Sequence, residues 1–234
     1  MPTYPRKEIE QKTKEGDVEW LLRKAGELHG HFCPFLALGV KASVLALKEL
    51  GTSTEGIGEE LVAIVEVNNC FVDGIQMVTG CSFGNNSLIY KDFGKNAFTL
   101  AKRGGRAIRM SVLPGYPQKM AQKISGAQEM FERFIQRREI GTPEEMARFK
   151  EVWQMLSFMQ LQVPTQEQFK IEHTSVSLPD QAPIFQSVAC SVCGESVMET
   201  RIRVMDGKPM CIPCSNRDYF VLEGGGMHMT GDGI

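Results

Sequence analysis

The sequence lacks a long apolar segment, since no run approaches the roughly 20 residues that a helix needs to cross a bilayer. Its first residues, MPTYPRKE, also lack the apolar core of a secretory signal. No charge dominates, because 26 Lys and Arg face 28 Asp and Glu, for a formal net charge of −2. A nearly neutral chain offers no general attraction to nucleic acid or to an anionic membrane. We therefore expect a cytoplasmic protein with no membrane partner.

Several motifs of common enzymes are also missing. The sequence shows no loop that could cradle phosphates, no molybdopterin-binding signature and no general acid and base at a recognisable spacing. It has no internal repeat, and its only biased stretch is the glycine-rich segment 224–233, which we expect to be mobile. These absences leave cysteine and histidine as the residues that point to chemistry.

Seven cysteines are present, and four of them form two CxxC pairs near the end of the sequence. Cys190 and Cys193 form the first pair, and Cys211 and Cys214 form the second. Two such turns can place four thiolates about 2.3 Å from one ion, which suits a structural zinc with no open coordination position. Two disulfides are the alternative, but the chain shows no sign of entering an oxidising compartment. The alternating segments between the pairs, with Asp206-Gly207 as a turn signal, predict a hairpin.

The order of predicted elements favours an α+β fold. Helices are predicted at Val18–Leu28 and Phe35–Leu50, and the β-branched run Leu61–Val67 predicts a strand covered on both faces. A short helix is expected around Asp73–Thr79. Three strands joined by short glycine-containing turns should then form an antiparallel meander. They are 87–93, 97–102 and 106–113. We expect a mixed sheet with packed helices.

The second half of the sequence begins with an amphipathic pattern over residues 118–138, which predicts one helix. A further helix should open at Thr142, which stands three residues before Glu145 in a capping-box spacing, and run to about Leu161. Its apolar stripe, which includes Trp153, is interpreted as core, with a ligand groove as the alternative. We expect a core domain over residues 1–178, a four-cysteine zinc finger over 179–223 and a flexible tail over 224–234.

A second cluster of metal-binding residue types precedes the helix predicted at Phe35–Leu50. His29, His31 and Cys33 lie within five residues, and Cys33 is expected at or beside the helix N-cap. The helix dipole there favours a thiolate, which is both a nucleophile and a metal ligand. If the segment is extended, His31 and Cys33 can share one side with His29. If it is helical, His29 and Cys33 stand at positions i and i+4.

Two further cysteines, Cys70 and Cys81, lie at the ends of predicted elements, from which loops could bring them to the same turn. We expect His29, Cys33 and one or both of these cysteines to converge on a metal or a shared pocket. The alternative is that the three cysteines are small buried apolar residues and that the histidines bond to the backbone. Asp73 is expected either to orient a ligand histidine or to cap a helix.

These motifs resemble the FmdE family of formylmethanofuran dehydrogenase proteins. The resemblance rests on His29–Gly39 (HGHFCPFLALG), Cys70–Gln76 (CFVDGIQ), Thr79–Gly84 (TGCSFG) and segment 92–98. Segment 182–214, with its four cysteines, resembles the zinc-finger extension of some members. The resemblance implies an α+β core similar to the catalytic domain of glyceraldehyde-3-phosphate dehydrogenase, followed by a treble-clef-like zinc finger, in a homodimer.

The resemblance also implies association with molybdenum- or tungsten-dependent formylmethanofuran chemistry, the first carbon-dioxide-fixing step of methanogenesis. The family's polar cluster, transferred to matching positions, is His29, His31, Cys33, Cys70, Asp73, Gln76 and Cys81. All of these except Gln76 are candidate catalytic residues, and His29, Cys33 and Cys70 are the candidate core metal ligands. The chain departs from the family at Phe35, where members often have Gly, and at Gly84-Asn-Asn-Ser87, which replaces a Gly-Lys-Gly-Asn run. The missing lysine and glycine argue against an anion or cofactor contact by the loop at residues 84–87.

Two classes of function follow. In one, the cluster holds a catalytic or redox metal, or a reactive Cys33 thiolate, in an oxidoreductase-related one-carbon reaction. In the other, which we favour, the protein is an accessory metal-binding module whose core pocket holds a metal or a pterin-like cofactor. Its zinc finger would then dock a partner such as a molybdenum or tungsten enzyme complex. Nucleic-acid recognition by the finger is a third possibility, but acidic residues dilute its basic side chains.

Overall fold

A computed structural model of the chain describes residues 4–52 and 60–231. The chain divides into two compact units, Met1–Pro179 and Asp180–Ile234. We refer to the first as the core unit and to the second as the cysteine unit. No helix within the described ranges is both long enough and apolar enough to traverse a bilayer.

The core unit contains eight α-helices and five strands among its described residues. The helices are α1 (Lys7–Glu15), α2 (Val18–His29), α3 (Pro34–Leu50), α4 (Cys70–Thr79), α5 (Tyr116–Ala121), α6 (Ala127–Met130), α7 (Pro143–Met159) and α8 (Thr165–Gln168). The strands are β1 (Leu61–Val65), β2 (Leu88–Tyr90), β3 (Ala97–Lys102), β4 (Arg106–Val112) and β5 (Phe169–Ser175).

The five strands form one mixed sheet in the order β2-β1-β3-β4-β5. Strands β1 and β2 are parallel, whereas the other neighbours are antiparallel. The expected meander of three strands after β1 is therefore wrong in one respect, since β2 pairs with β1 and not with β3. Helix α4 crosses over between β1 and β2, and a crossover connection returns the chain in the same direction. All five residues of β1 are buried, as expected for a central strand.

Helix α3 is the centre of the helical layer. It packs against α2, α4, α7 and β4, and most of its residues are buried. Its small and aliphatic sequence explains this, because a helix that is apolar around most of its circumference is stable only when surrounded. The start of α3 therefore lies inside the fold.

The segment before α7 differs from the prediction of a single helix over residues 118–138. It consists of α5, α6 and a π-helical turn, Phe131–Gln136. Gly126 has a φ of 80°, which interrupts the helical path between α5 and α6. Helix α7 opens with a complete capping box, in which Thr142 and Glu145 bond each other's backbone N–H groups.

The cysteine unit consists of three hairpins. They are β6 (Ser187–Ala189) with β7 (Ser196–Met198), β8 (Arg203–Met205) with β9 (Lys208–Met210), and β10 (Phe220–Glu223) with β11 (Gly226–Met229). Asp206 and Gly207 have φ values of 50° and 74°, as expected for the turn between β8 and β9. The third hairpin includes residues 226–229 of the segment expected to be a mobile tail, and they pair with residues 220–223. Residues 232–234 lie outside the described residues.

Candidate metal centre

The centre is built from three helix ends. His29 is the last residue of α2, and Gly30 ends that helix in the left-handed conformation, with a φ of 85°. Cys33 is the N-cap of α3, and its sulfur accepts a hydrogen bond from the Leu36 N–H at 3.4 Å. Cys70 is the first residue of α4. The chain thus places one imidazole and two thiols where two helix N-termini favour negative charge.

Two glycines allow the ends of α3 and α4 to approach each other. A Cβ atom at Gly39 would lie 2.1 Å from the Phe71 carbonyl oxygen, and one at Gly74 would lie 2.5 Å from the Leu36 carbonyl oxygen. Any side chain at either position would therefore push the helices apart. Because Gly39 and Gly74 lie one to two turns from Cys33 and Cys70, this contact brings the two thiols together.

The three ligand-type atoms lie close enough to share one ion. His29, Cys33 and Cys70 each offer one such atom, and these atoms all lie within 4.8 Å of one another. The Cys33 sulfur is 3.9 Å from His29 Nε2. Bonds of about 2.0–2.3 Å to a tetrahedral ion separate its ligands by about 3.6–3.8 Å. The donor set therefore fits a metal of zinc size with a small adjustment.

The orientation of His29 is fixed by Asp73. His29 Nδ1 lies 2.7 Å from Asp73 Oδ2, and the Gln76 amide donates to the other oxygen of Asp73 at 3.1 Å. The carboxylate holds the proton on Nδ1, so Nε2 is the nitrogen that can accept a metal. Of the two roles predicted for Asp73, this contact matches that of a partner to a ligand histidine. The N-cap of α4 is Asn69, whose side chain accepts from the Phe71 N–H.

The two thiols of the cluster do not ionise independently. A hydrogen bond from Cys33 and the nearby His29 lower the pKa of Cys70 to about 6. The same hydrogen bond, together with burial, raises the pKa of Cys33 far above its ordinary value. Cys70 therefore loses its proton more readily than Cys33, and a cation bound by both sulfurs would displace the proton of Cys33.

A pocket of about 870 Å³ opens beside the cluster, within the core unit. Cys33 and Cys70 line one part of it. Other parts of the lining come from β4, the turn before α5, the π-helical turn and α7. A volume of this size is typical of sites for small molecules and far exceeds that of a single ion.

Two of the predicted site residues do not join the cluster. The ring of His31 lies against that of His29, with centroids 4.4 Å apart, and His31 lines the pocket. Partial desolvation and His29 lower the pKa of His31. Cys81 lies elsewhere, since its buried sulfur donates to the Leu61 carbonyl at 3.5 Å and burial raises its pKa. Of the two cysteines, one or both of which were expected to join His29 and Cys33, only Cys70 does so, because Cys81 follows the far end of α4.

No functional role was predicted from the sequence for the charged residues that line the pocket. Arg109 lines it from β4 and pairs with Glu66 at 2.7 Å and Glu172 at 3.0 Å. Lys95 lines it from the loop before β3. Arg109 lies in no motif, and Lys95 lies in the resembling segment 92–98 without a predicted role, because long-range packing and not sequence spacing brings both beside the helix ends.

The cysteine unit holds the second cluster. Cys190, Cys193, Cys211 and Cys214 offer four sulfur atoms that all lie within 4.8 Å of one another. The sulfurs of Cys193 and Cys211 are 3.9 Å apart, close to the edge of a tetrahedron with zinc–sulfur bonds of about 2.3 Å. Backbone N–H groups lower the pKa of Cys190 to about 6, which favours the thiolate that a metal needs. The four donors fit a closed zinc site.

Comparison with protein families supports these two units. Residues 28–170 match the family described as "FmdE, Molybdenum formylmethanofuran dehydrogenase operon". The chain belongs to the FmdE family. Residues 183–220 match the prokaryotic dksA/traR C4-type zinc finger. The first match covers the whole core centre, and the second contains all four cysteines of the other cluster.

Two similar proteins extend this comparison. A "Probable S-adenosyl-L-methionine-binding protein" of Archaeoglobus fulgidus is 40% identical over 228 residues, which cover 96% of the FmdE-family chain. The chain spans only 60% of the length of that relative. The crystal structure of a tungsten formylmethanofuran dehydrogenase FmdE-like protein from Syntrophus aciditrophicus has a TM-score of 0.51 at 21% identity. That match covers 85% of this chain and 91% of the other, and it shows a shared fold.

Proposed function

We propose that the core unit binds one soft divalent transition metal through His29 Nε2 and the sulfurs of Cys33 and Cys70. A histidine and two thiolates are a donor set that zinc accepts when it keeps a fourth position for water or substrate. Because Cys33 and Cys70 also line the large pocket, the fourth position would face the space where a small molecule can enter. The metal would therefore be accessible to a ligand.

The observation that carries this proposal is the contact between Asp73 and His29. A carboxylate on Nδ1 of a ligand histidine is the common second partner in metal sites, where it sets the tautomer and raises the basicity of the other nitrogen. Here the 2.7 Å contact leaves Nε2 beside Cys33. A histidine that only completed the core would not need a carboxylate that aims its free nitrogen at a thiol.

The same geometry supports a second candidate, a thiol-dependent enzyme. Cys70 has a lowered pKa, His29 lies beside it, and Asp73 orients the imidazole. Nucleophile, base and orienting group are the three parts of a cysteine-dependent catalytic centre. In this alternative, Cys70 attacks an electrophilic substrate in the pocket and no core metal is required.

The role proposed for the whole protein is that of an accessory or binding component in one-carbon metabolism linked to molybdenum or tungsten enzymes. Membership of the FmdE family supports this role. The zinc-finger match and the cluster of four sulfurs within 4.8 Å of one another support a structural zinc in the cysteine unit. A homodimer, docking to a larger enzyme complex and a likeness to the glyceraldehyde-3-phosphate dehydrogenase catalytic domain remain predictions.

The name of the Archaeoglobus fulgidus relative raises a further ligand. That protein is described as an S-adenosyl-L-methionine-binding protein, but this chain spans only 60% of it. The printed name does not assign the binding to the shared part. S-adenosylmethionine is therefore a compound to test on the purified chain.

Metal analysis of cysteine variants tests the proposal. The full chain, purified with Zn²⁺ and freed of loose metal, should retain two ions. Cys33→Ser should retain one, and Cys193→Ser should retain only the core ion. Cys81→Ser is the matched control, because Cys81 is a buried thiol outside both clusters, and it should retain two. One ion in the wild-type chain, unchanged by Cys33→Ser, would refute the core metal and leave the thiol-dependent alternative.

A further inference from the structure

The residues that line the pocket beside the cluster indicate which ligands can bind there. The inference depends on the proposed function, because the pocket shares Cys33 and Cys70 with the proposed metal centre. A bound ion would fill only a small part of about 870 Å³. The charge and the chemical character of the remaining wall therefore indicate the class of ligand.

The charged residues of the lining are all cationic. They are Lys95, Arg109 and Lys170, and no Asp or Glu among the described residues lines the pocket. Glu66 and Glu172 lie behind the wall and offset two of these charges, since Arg109 pairs with both and Lys170 pairs with Glu172 at 2.8 Å.

Lys95 is different. Its ammonium group lies over the Phe93 ring at 5.8 Å and has no ion pair with a described carboxylate. It is also close in space to the cluster, because its chain neighbour Asn96 accepts a hydrogen bond from Asn69, the N-cap residue before Cys70. Within the part of the chain that the structure describes, one positive charge is thus left without a carboxylate partner near the proposed open metal position.

The rest of the wall is apolar and aromatic. Phe131 and Trp153 both line the pocket, and their rings are nearly parallel, with an interplanar angle of 9° and centroids 5.8 Å apart. Leu38, Met120 and Leu156 add aliphatic surface. Such a wall favours a ligand with a flat ring, which can stack on aromatic side chains.

We infer that the pocket binds a small molecule with a planar aromatic ring and one anionic group. The anionic group lies at Lys95, beside the start of α4, and the ring lies along Trp153 and Phe131. The proposal requires both features, because Lys95 alone would hold any anion and the aromatic wall alone would hold any apolar compound.

Two dyes of the same shape separate these contributions. 8-Anilinonaphthalene-1-sulfonate is aromatic and anionic, whereas N-phenyl-1-naphthylamine has the same ring system without the sulfonate. The chain has two tryptophans, so Trp20→Phe leaves Trp153 as the only tryptophan reporter. Quenching of its emission in the full-length protein gives the affinity of each dye for this region.

The expected result is that the sulfonate dye binds and that Lys95→Gln, made in the same Trp20→Phe background, weakens it about fivefold, the upper limit for one partly solvated ion pair. Lys95→Gln should leave the neutral dye unchanged. Lys91→Gln, which removes a nearby charge outside the pocket, should change neither affinity. Trp153→Leu, followed by dye emission, should weaken both dyes.

Three results would overturn the inference. They are an absence of quenching by the sulfonate dye, equal losses in Lys95→Gln and Lys91→Gln, and a sulfonate affinity that is insensitive to Lys95→Gln. Metal content, measured on the same Trp20→Phe protein and on Cys33→Ser, tests the proposed metal centre separately. If Cys33→Ser retains as much metal as the Trp20→Phe protein while the dyes bind as expected, the proposed function is refuted and the inferred ligand class is retained.

Discussion

Replacing Asp73 tests whether its contact with His29 serves a metal. Asp73→Asn keeps an oxygen acceptor within reach of His29 Nδ1 but removes the negative charge. Asp73→Ala removes the acceptor as well. Loss of a carboxylate partner of a ligand histidine commonly lowers metal affinity 10- to 100-fold. The position of each variant within that range can be estimated from the local geometry.

The 2.7 Å contact joins a His29 side chain that is 13% exposed to an Asp73 side chain that is 34% exposed. Solvent therefore screens the charge of Asp73 in part. Asp73→Asn should lie near the lower limit, with about tenfold weaker binding, or about 1.4 kcal/mol. Asp73→Ala should lie nearer the upper limit, with about 100-fold weaker binding, or about 2.7 kcal/mol. The order of the two variants matters more than either value.

Chelator competition with Co²⁺ measures this affinity, because cobalt bound by thiolates absorbs visible light. The part of the signal that Cys33→Ser removes belongs to the core centre. Glu144→Gln is the control, since Glu144 is an exposed carboxylate in the first turn of α7 and has the same helix-dipole role without a histidine partner. Unchanged affinity in Asp73→Ala, or an equal loss in Glu144→Gln, would refute the role assigned to Asp73.

Three further predictions concern the helix contact, a buried lysine and the cysteine unit. Gly39→Ala should destabilise the core by about 3 kcal/mol or more in chemical denaturation and abolish core cobalt binding, because the added methyl meets the Phe71 carbonyl; full retention of both would refute the close-contact argument. Burial lowers the pKa of Lys41 to about 8 from an ordinary 10.5, so the unfolded chain binds more protons than the folded chain between these pH values. The free energy of unfolding, relative to that of Lys41→Met, should therefore rise from pH 8 to 10.5. A difference between the two proteins that does not change with pH would contradict this prediction. Cys211→Ser, or chelation of the wild-type protein, should make residues 180–234 sensitive to protease while the core resists, because the metal supplies folding free energy to that unit; equal protection with and without chelator would contradict it.

Local sequence signals predicted the helix ends well. Cys33 at the N-cap before Pro34, the capping box at Thr142 and the turn at Asp206 each depend on residues within four positions of one another, and each is found. The same holds for the buried strand β1, whose apolar run needs no knowledge of its neighbours. These features follow from backbone chemistry that a short segment contains in full.

Features that depend on distant contacts were predicted less well. The pairing of β2 with β1 depends on the path of α4, and the sequence of β2 itself gives no indication of that path. Cys81 and Cys70 both looked able to reach Cys33. The close approach of Gly39 and Gly74 places the start of α4, and not its end, beside the start of α3. The pocket is a similar case, since Lys95 and Trp153 come from separate parts of the chain.

The two clusters of this chain use similar donors for different ends. In the cysteine unit, four sulfurs lie within 4.8 Å of one another, and a zinc ion bound by all four would have no open position and would serve to hold the hairpins together. In the core unit, three donors stand on helix ends that tertiary packing already fixes, and two of them line a large pocket. The core has an extensive apolar interior of its own, whose burial is a source of stability that no ion needs to supply. A metal bound there would instead be able to contact a ligand in the pocket. This accessibility distinguishes a functional metal centre from a structural one.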